Sequence, residues 1–251
     1  MQGNSDLDLT DGPLISCLCV TRGRTKLLGR AIGSFRDQVY PNKELVVVYE
    51  SDDAGTAEYL GPLEDDNIKI IEAPSSPGLT LGELRNVSLK GCGGEYFCQW
   101  DDDDWYHRER LSFQMDVIRK SGMQASIMMH WLIFDDTRKR AYVSARRPWE
   151  GSLLCKRSLI GEGLRYDARR RGEDTPLVTG LFRKSLVFPI IMPKLYIYVY
   201  HGNNVWTREH WERIFSDSKR LSDESGLIIN DILECKYTGE DASRMLDGIE
   251  E

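Results

Sequence analysis

The sequence lacks any long apolar segment. No run of about 18 apolar residues, the length that spans a bilayer, occurs in the 251 residues. The mean hydropathy of −0.43 agrees with this. The first eleven residues have neither a basic region nor an apolar stretch, so they do not have the pattern of a secretory signal. We therefore expect a cytoplasmic protein without a transmembrane segment, and leave open a peripheral position at the inner face of the membrane.

The six cysteines include no CxxC pair. Most of them lie in apolar stretches typical of strands or helices, where a free thiol behaves as a small apolar side chain. A disulfide scaffold or a zinc site is therefore not expected.

The chain also lacks a broad basic region. Its formal net charge is −7, and the excess of acids is concentrated at the two ends. Residues 1–12 carry three acids and no base, and residues 206–251 carry twelve acids and six bases. The remaining body is close to neutral, so it can hold an anionic ligand but has no surface suited to nucleic acid.

Apolar runs alternate with segments of helical spacing in the first half of the chain. Such alternation predicts an α/β domain with a mainly parallel sheet. Strands are expected at 13–20, 44–49, 67–72 and 95–100, with helices near 27–35, 57–63 and 81–89 between them. In the second half we expect helices at 108–120 and 173–184, and strands at 125–134, 141–145, 186–192 and 195–201. From Trp206 onward the pattern is helical but charged.

Three polar clusters follow predicted strands, which is where ligands bind in open α/β sheets. They are Thr21-Arg22, Glu50 to Asp53, and Asp101 to Asp104. Four adjacent carboxylates repel one another unless they bind a cation, and carboxylate oxygens suit Mg²⁺ or Mn²⁺. The alternative is a solvated acidic loop, or a helix N-terminus in which Asp104 caps the helix that follows.

Five segments, in this order, resemble the family 2 glycosyltransferases. They are Pro13-Leu-Ile-Ser-Cys-Leu-Cys-Val-Thr21, Leu45-Val-Val-Val-Tyr-Glu-Ser-Asp-Asp53, Leu84-Arg-Asn86, Gly94-Glu-Tyr-Phe-Cys-Gln-Trp-Asp-Asp-Asp-Asp-Trp105 and Gly172-Glu-Asp174. The resemblance implies the GT-A fold, a Rossmann-like single domain with a mostly parallel central sheet, here followed by a helical C-terminal tail.

The extent of the resemblance, together with the composition of the two ends, predicts a division of the chain. Residues 1–12 would be a disordered acidic N-terminus, and residues 206–251 a helical, acidic extension. Between them, 13–205 would form the GT-A domain. Its first part, 13–105, would bind the nucleotide-sugar, and 106–205 would bind the acceptor.

For the donor side, the resemblance places the DxD motif on Asp101 and Asp103. Asp103 would bind Mn²⁺ or Mg²⁺ directly, and Asp101 would lie nearer the ribose or a metal-bound water. His201 follows the last predicted strand and is a further candidate metal ligand, with an ordinary surface histidine as the alternative. The residues expected to contact the nucleotide-sugar are Thr21, Arg22, Glu50, Asp52, Arg85, Asp101 and Asp102. The run from Glu50 to Thr56 departs from the usual family turn, so either Glu50 or Asp52 could contact the base.

For the acceptor side, the resemblance assigns the general base to the Glu173-Asp174 pair, usually to its second acid. The alternative is that both acids simply stabilise a helix N-terminus. Trp149 and Gly151 lie where family members build the acceptor pocket, although a buried structural tryptophan is equally compatible. His130 is more typical of a histidine satisfied within a sheet. For Arg85 the alternative is an exposed helix charge.

These observations together predict a metal-dependent inverting glycosyltransferase. It would move a sugar from a nucleotide-diphospho-sugar, a UDP-sugar by preference, to a hydroxyl of a glycan or lipid-linked acceptor in cell-surface polysaccharide synthesis. Association with other glycan-synthesis enzymes is a further expectation. The alternatives are a non-catalytic module that binds carbohydrate or divalent metal, and a sugar-nucleotide pyrophosphorylase. The pyrophosphorylase is disfavoured because Thr21 to Thr25 contains only one glycine.

Overall fold

A computed structural model describes residues 12–161 and 164–250 of the chain. Its strands are β1 Ile15–Val20, β2 Lys43–Glu50, β3 Ile68–Ala73, β4 Tyr96–Gln99, β5 Trp105–Tyr106, β6 Ala125–Met128, β7 Leu132–Asp135, β8 Arg140–Val143, β9 Leu154–Lys156, β10 Val187–Ile190, β11 Tyr196–Tyr200 and β12 Lys219–Arg220. Its α-helices are α1 Thr25–Arg36, α2 Ala54–Leu60, α3 Leu81–Gly91, α4 Arg110–Ser121, α5 Thr175–Arg183, α6 Arg208–Asp217, α7 Asp223–Leu233 and α8 Gly239–Asp247. Of the N-terminal segment expected to be disordered, all but Gly12 lies outside the described residues.

The larger of two sheets has seven strands in the order β10-β6-β9-β4-β1-β2-β3. β1 lies between β2 and β4 and runs parallel to both, and β2–β3 and β10–β6 are also parallel pairs. β9 is antiparallel to both of its neighbours, β4 and β6. The sheet is therefore mixed but mostly parallel, which confirms the predicted fold class.

Both faces of this sheet are covered, which explains the uninterrupted apolar runs of its central strands. In β1, Cys17 and Cys19 pack into one apolar cluster, and Leu18 packs into the cluster on the opposite face. The buried thiols predicted from the sequence are present, because five of the six cysteines are buried and Cys235 is exposed.

The second sheet has five strands in the order β12-β8-β7-β11-β5. The single strand predicted at 125–134 was wrong, because the chain leaves the large sheet after β6 and enters the small sheet as β7. Trp131, fully buried at this crossing, exchanges hydrogen bonds with Ser144: its backbone N–H donates to the Ser144 hydroxyl at 3.1 Å, and its carbonyl accepts from the Ser144 N–H at 3.0 Å. One apolar run therefore contributes one strand to each of the two sheets.

The C-terminal helices cover the second sheet. Ile229 and Ile232 of α7 and Leu246 of α8 are buried in a cluster with Phe134 of β7 and Val199 of β11. The predicted helical tail is therefore packed against the strands that carry part of the cleft described below. No helix within 12–161 or 164–250 has the length and apolar character needed to cross a membrane.

Candidate active site

Three parallel neighbouring strands bring the predicted polar clusters to one edge of the large sheet. β1 ends before Thr21, β2 ends at Glu50, and β4 leads into Asp101. Backbone hydrogen bonds fix their register, with the Thr21 N–H donating to Val48 and the Trp100 N–H donating to Leu18, both at 3.0 Å. The carboxyl ends of parallel strands point the same way, so the three clusters meet there.

A cleft of about 440 Å³ opens at this edge. Most of the predicted site residues line it: Thr21, Arg22, Glu50, Arg85, Asp101, Asp102, Asp103, Trp149, Gly151, Glu173 and Asp174. Asp52 and His201 lie next to it, each bonded to a lining residue: Asp52 accepts from Arg22 at 2.8 Å, and the His201 Nε2 lies 3.1 Å from an Asp103 oxygen. The structure thus gathers the whole predicted set in one place.

The first part of the aspartate run is tied to the loop after β1. Asp102 is buried and accepts hydrogen bonds from the Thr21 hydroxyl at 2.7 Å and from Arg24 at 3.2 Å. Burial, with the nearby charge of Asp103, raises the pKa of Asp102 to about 7, even though Arg24 and Thr21 act in the opposite direction. The solvated acidic loop considered from the sequence is therefore wrong.

Asp103 is the carboxylate on which most donors converge. Its Oδ2 lies 2.9 Å from Arg24 Nη1, 3.1 Å from the His201 imidazole and 3.5 Å from the Asn204 amide. Burial acts to raise the pKa of Asp103, but the hydrogen bond from His201 and the charge of Arg24 outweigh it, and the pKa is lowered. His201 is half-buried here.

Asp104 faces the interior. It is fully buried and accepts hydrogen bonds from the Tyr196 hydroxyl and, at 3.0 Å, from the Val199 N–H. It therefore ties the aspartate run to β11. The expectation that Asp104 caps the following helix is wrong, because Glu109 occupies the N-cap position of α4.

Arg85 connects the aspartate run to the acidic pair far along the chain. It lies on α3, whose first turn is fixed by a reciprocal capping box between Thr80 and Glu83. Its Nη2 lies 2.9 Å from Asp101, and its Nε lies 2.8 Å from Glu173. Only 7% of the Arg85 side chain is exposed, so the alternative of an exposed helix charge is wrong.

Glu173 and Asp174 directly precede α5. Glu173 is buried, and Asp174 is half-buried and makes no capping hydrogen bond to the helix. Burial and the charge of Glu173 raise the pKa of Asp174 to about 7, against the effect of Arg85. Arg169 to Arg171 are exposed. A carboxylate with such a pKa can take up a proton near neutral pH.

The loops after β1 and β2 are joined to each other at one side of the cleft. Arg22 contacts both Glu50 and Asp52. Asp53 caps α2 through the Thr56 N–H at 3.1 Å and also accepts from the Gly23 N–H at 2.6 Å. Glu50 is buried, whereas the Asp52 side chain is 48% exposed.

Aromatic side chains line the opposite side of the cleft. Trp149 stacks on the buried Trp131 with ring centroids 5.0 Å apart, and its ring also packs at 4.3 Å against Tyr198. Gly151 lies directly beneath it, because a Cβ there would be 3.0 Å from the Trp149 ring. Trp149 is thus both supported from the core and accessible in the cleft.

His130 contacts the Ser144 carbonyl at 3.0 Å, in keeping with a histidine satisfied between strands.

Sequence reasoning missed Arg24, Asn204 and the position of Trp206. Arg24 was part of the polar stretch after β1, but nothing in that stretch distinguishes it from Arg22. Asn204 and Trp206 line the cleft from the loop after β11, and the pattern of the sequence gives no sign of where that loop folds. The positions of these three side chains depend on contacts with residues that are distant in sequence, such as Asp103 and Arg171.

Residues 16–179 match the family model described as Glycosyl transferase family 2. A curated relative in Escherichia coli K12, the putative colanic acid biosynthesis glycosyl transferase WcaA, is 34% identical over 109 residues. This match covers 41% of the chain and 37% of the relative, well under two thirds of that protein's length.

Two solved structures resemble the fold. The structure of S. aureus TarS 1–349 in complex with UDP-GlcNAc has a TM-score of 0.63 at 13% identity, and the match covers 92% of the chain and 70% of that protein. The mannosyltransferase PcManGT from Pyrobaculum calidifontis, in complex with GDP-Man and Mn²⁺, has a TM-score of 0.59 at 15% identity, with coverage of 96% and 74%.

The family model spans more than half of the chain, and it includes the aspartate run, Arg85 and the acidic pair that meet in the cleft. The chain therefore belongs to glycosyl transferase family 2.

Proposed function

We propose that the protein is an inverting glycosyltransferase that moves a sugar from a UDP-sugar to a hydroxyl of an acceptor in polysaccharide synthesis. The observation that carries this proposal is that one buried arginine, Arg85, holds Asp101 and Glu173 in the same cleft. Two acidic groups 72 residues apart in sequence are thereby brought close together in a single binding site. The name of the colanic acid relative supports the polysaccharide assignment.

In this proposal the two halves of 13–205 divide the work. Thr21, Arg22, Glu50 and Asp52 bind the base and ribose, and Asp102 also contacts the nucleotide-sugar. Asp101 lies nearer the ribose or a metal-bound water, and Arg85 faces the diphosphate. Trp149 and Gly151 form the floor of the acceptor site. Residues 206–251 stabilise the second sheet by packing against its strands.

Asp174 acts as the general base. Its pKa of about 7 leaves a substantial fraction ionised at neutral pH, so its carboxylate can accept the proton of the acceptor hydroxyl as the oxygen attacks. The negative charge that develops on the leaving diphosphate is met by the guanidinium of Arg85, which the surrounding carboxylates keep positively charged and fixed in place. Trp149 contributes the exposed edge of its ring to the acceptor site, because Trp131 and Tyr198 pack against the ring itself.

The chemistry of Asp103, Asp101 and His201 fits a divalent cation, because carboxylate oxygens and an imidazole nitrogen are ligands that Mn²⁺ accepts; Mg²⁺ prefers oxygen ligands. In the described residues no three acidic, histidine or cysteine side chains surround a common point. Arg24 lies on the Asp103 oxygen, and we infer that it gives way when the cation binds. When bound, the cation would offset the charge of the leaving diphosphate. The Mn²⁺ complex of the mannosyltransferase neighbour supports this proposal.

The donor is tested by thermal unfolding in Mn²⁺ with UDP, GDP, CDP and ADP in turn. We expect UDP to stabilise the protein most, by about 2.7 kcal/mol at a hundredfold excess over its Kd. If GDP stabilises the protein more than UDP does, the donor is instead assigned as a GDP-sugar. Calorimetry that gives the same UDP affinity with Mn²⁺ and with EDTA would remove the metal from the proposal.

The base is tested with Asp174→Asn, which keeps the shape of the side chain but cannot accept the proton. Sugar transfer should fall by about 10² to 10⁴ while the Kd for UDP stays within a few-fold of the wild-type value. Glu173→Gln should reduce transfer less, and Asp66→Asn, at an exposed loop position, serves as the control.

If Glu173→Gln is inactive and Asp174→Asn is active, the base is Glu173. If neither variant loses transfer, the inverting mechanism is wrong. If the wild-type protein binds UDP and Mn²⁺ but neither transfers nor hydrolyses any UDP-sugar, the non-catalytic alternative holds.

A further inference from the structure

Four arginines from three separate segments lie at the mouth of the cleft. Arg147 belongs to the segment between β8 and β9, Arg170 and Arg171 to the segment before α5, and Arg213 to α6. All four are exposed. The charges of Arg147, Arg213 and Arg171 all act on His210 of α6, so the three segments converge around that side chain.

Aromatic rings hold two of these guanidinium groups. Arg147 lies over Trp131 at 5.2 Å and over Trp149 at 6.0 Å from the ring centroids. Arg171 lies 6.0 Å over Trp206, whose ring stacks on His210 at 4.3 Å with an interplanar angle of 18°. Stacking uses the face of a guanidinium and leaves its N–H edges available, so each group is oriented without its hydrogen-bonding capacity being spent.

Within 12–161 and 164–250, no carboxylate side chain lies within ion-pair distance of any of the four, and the side chains of Arg147, Arg170 and Arg171 make no hydrogen bond to protein. The arginines deeper in the cleft differ, because Arg22, Arg24 and Arg85 each contact two carboxylates. Clustered positive charges without counter-ions repel one another, and an anionic ligand would relieve that repulsion.

The cluster is also on the acceptor side. Arg170 and Arg171 line the cleft together with Trp149, Trp206 and Asp174. We propose that the arginines at the mouth of the cleft bind an anionic group, a carboxylate or a phosphate, that the acceptor glycan carries beside the sugar that contacts Trp149. This proposal rests on the proposed function for the identity of the cleft, and it adds the chemical class of the acceptor.

The planar, two-pronged donors of arginine match both kinds of oxyanion. An acceptor sugar beside Trp149 would place the next residue of the glycan near Arg147, which lies over the Trp149 ring, and near Arg171, which lines the same cleft. A neutral glycan would leave these donors to water, so the cluster selects acidic acceptors over neutral ones of the same size.

The test is equilibrium binding, by calorimetry at low ionic strength, of three probes to the full chain with UDP and Mn²⁺ present. Trigalacturonate presents carboxylates, glucose 1-phosphate presents a phosphate, and maltotriose is neutral. The variants are Arg147→Gln, Arg171→Gln and the double variant, and Arg183→Gln is the control. Arg183 is also exposed and without a carboxylate partner among the described residues, but it lies at the far end of α5.

We expect at least one acidic probe to bind at least about tenfold more tightly than maltotriose, and each cleft variant to weaken that binding about tenfold, since a charge-assisted hydrogen bond is lost. Arg183→Gln should leave the Kd unchanged. Preference for trigalacturonate assigns a carboxylate and preference for glucose 1-phosphate assigns a phosphate.

Equal binding of acidic and neutral probes overturns the proposal, and so does an equal effect of Arg183→Gln. If the cleft variants weaken UDP binding as much as probe binding, the arginines serve the donor and the proposal is likewise wrong. Failure of the wild-type protein to bind UDP would count against the proposed function, whereas the comparison of the acidic and neutral probes without nucleotide would still decide the acceptor proposal.

Discussion

Arg85→Met is the substitution for which the structure gives the clearest expected cost. The native guanidinium contacts Glu173 at 2.8 Å and Asp101 at 2.9 Å while it is almost fully buried. Methionine fills a similar volume but carries no charge. Both carboxylates therefore lose their counter-ion.

The two carboxylates do not contribute equally to that cost. Only 4% of the Glu173 side chain is exposed, and removing one partner of such a buried pair costs about 3–5 kcal/mol. The Asp101 side chain is 24% exposed, so water screens part of its charge and it adds little. We expect the free energy of unfolding to fall by about 3 kcal/mol, which a typical domain survives.

The measurement is urea unfolding followed by tryptophan fluorescence, for Arg85→Met, Glu173→Gln and the double variant. The double variant should recover about 1 kcal/mol or more relative to Arg85→Met, because a neutral glutamine leaves no unpaired charge. Arg85→Lys should be intermediate, since one ammonium group cannot reach both carboxylates as a planar guanidinium does. A loss below about 1 kcal/mol for Arg85→Met, or strictly additive losses, would refute this reasoning.

Three further predictions concern the proposed chemistry. Because Asp174 must be ionised to act as a base and burial with Glu173 raises its pKa to about 7, the rate at saturating substrates should rise between about pH 6 and pH 8, from roughly a tenth to nine tenths of its maximum; a flat profile would contradict the assignment. Asp103→Asn should weaken Mn²⁺-dependent UDP binding far more than Asp104→Asn, whose side chain faces β11, and calorimetry showing equal losses would mean that the metal ligand is misplaced. His201→Ala should raise the Mn²⁺ concentration needed for half-maximal UDP binding, and an unchanged concentration would leave His201 without a metal role.

The fold could be predicted from the sequence because its signals are local. An apolar run such as 44–49 is buried on both faces, and no other element accommodates it without exposing part of it. The run at 125–134 is the instructive exception. Its apolar content is the same whether it forms one strand or two, and the hydrogen bonds between Trp131 and Ser144 that divide it join residues 13 apart in the chain. Hydrophobic periodicity carries no information about such a division.

Without the family resemblance, only those site residues that lie at the ends of strands could be predicted from the sequence. Thr21, Glu50 and Asp101 meet because β1, β2 and β4 are parallel neighbours; the alternating pattern predicts the parallel direction of these strands but not their order. The contacts of Arg24 could not be predicted. Arg22 and Arg24 are two positions apart in the same polar loop, yet Arg22 turns toward β2 and Arg24 toward Asp102 and Asp103.

The run of four aspartates shows why the same residue type at adjacent positions does different work. The chain turns immediately after β4, so successive side chains point in different directions: Asp101 toward Arg85, Asp103 toward Arg24 and His201, and Asp104 into the core. Among the described residues no cation lies within ion-pair distance of the buried Asp104, and burial together with the charges of Asp103 and Asp101 raises its pKa. That cost is offset by its hydrogen bonds to β11, the strand whose following loop carries His201. Asp104 therefore ties the aspartate run to the strand that directly precedes His201, and the contact between Asp103 and His201 depends in part on this buried acid.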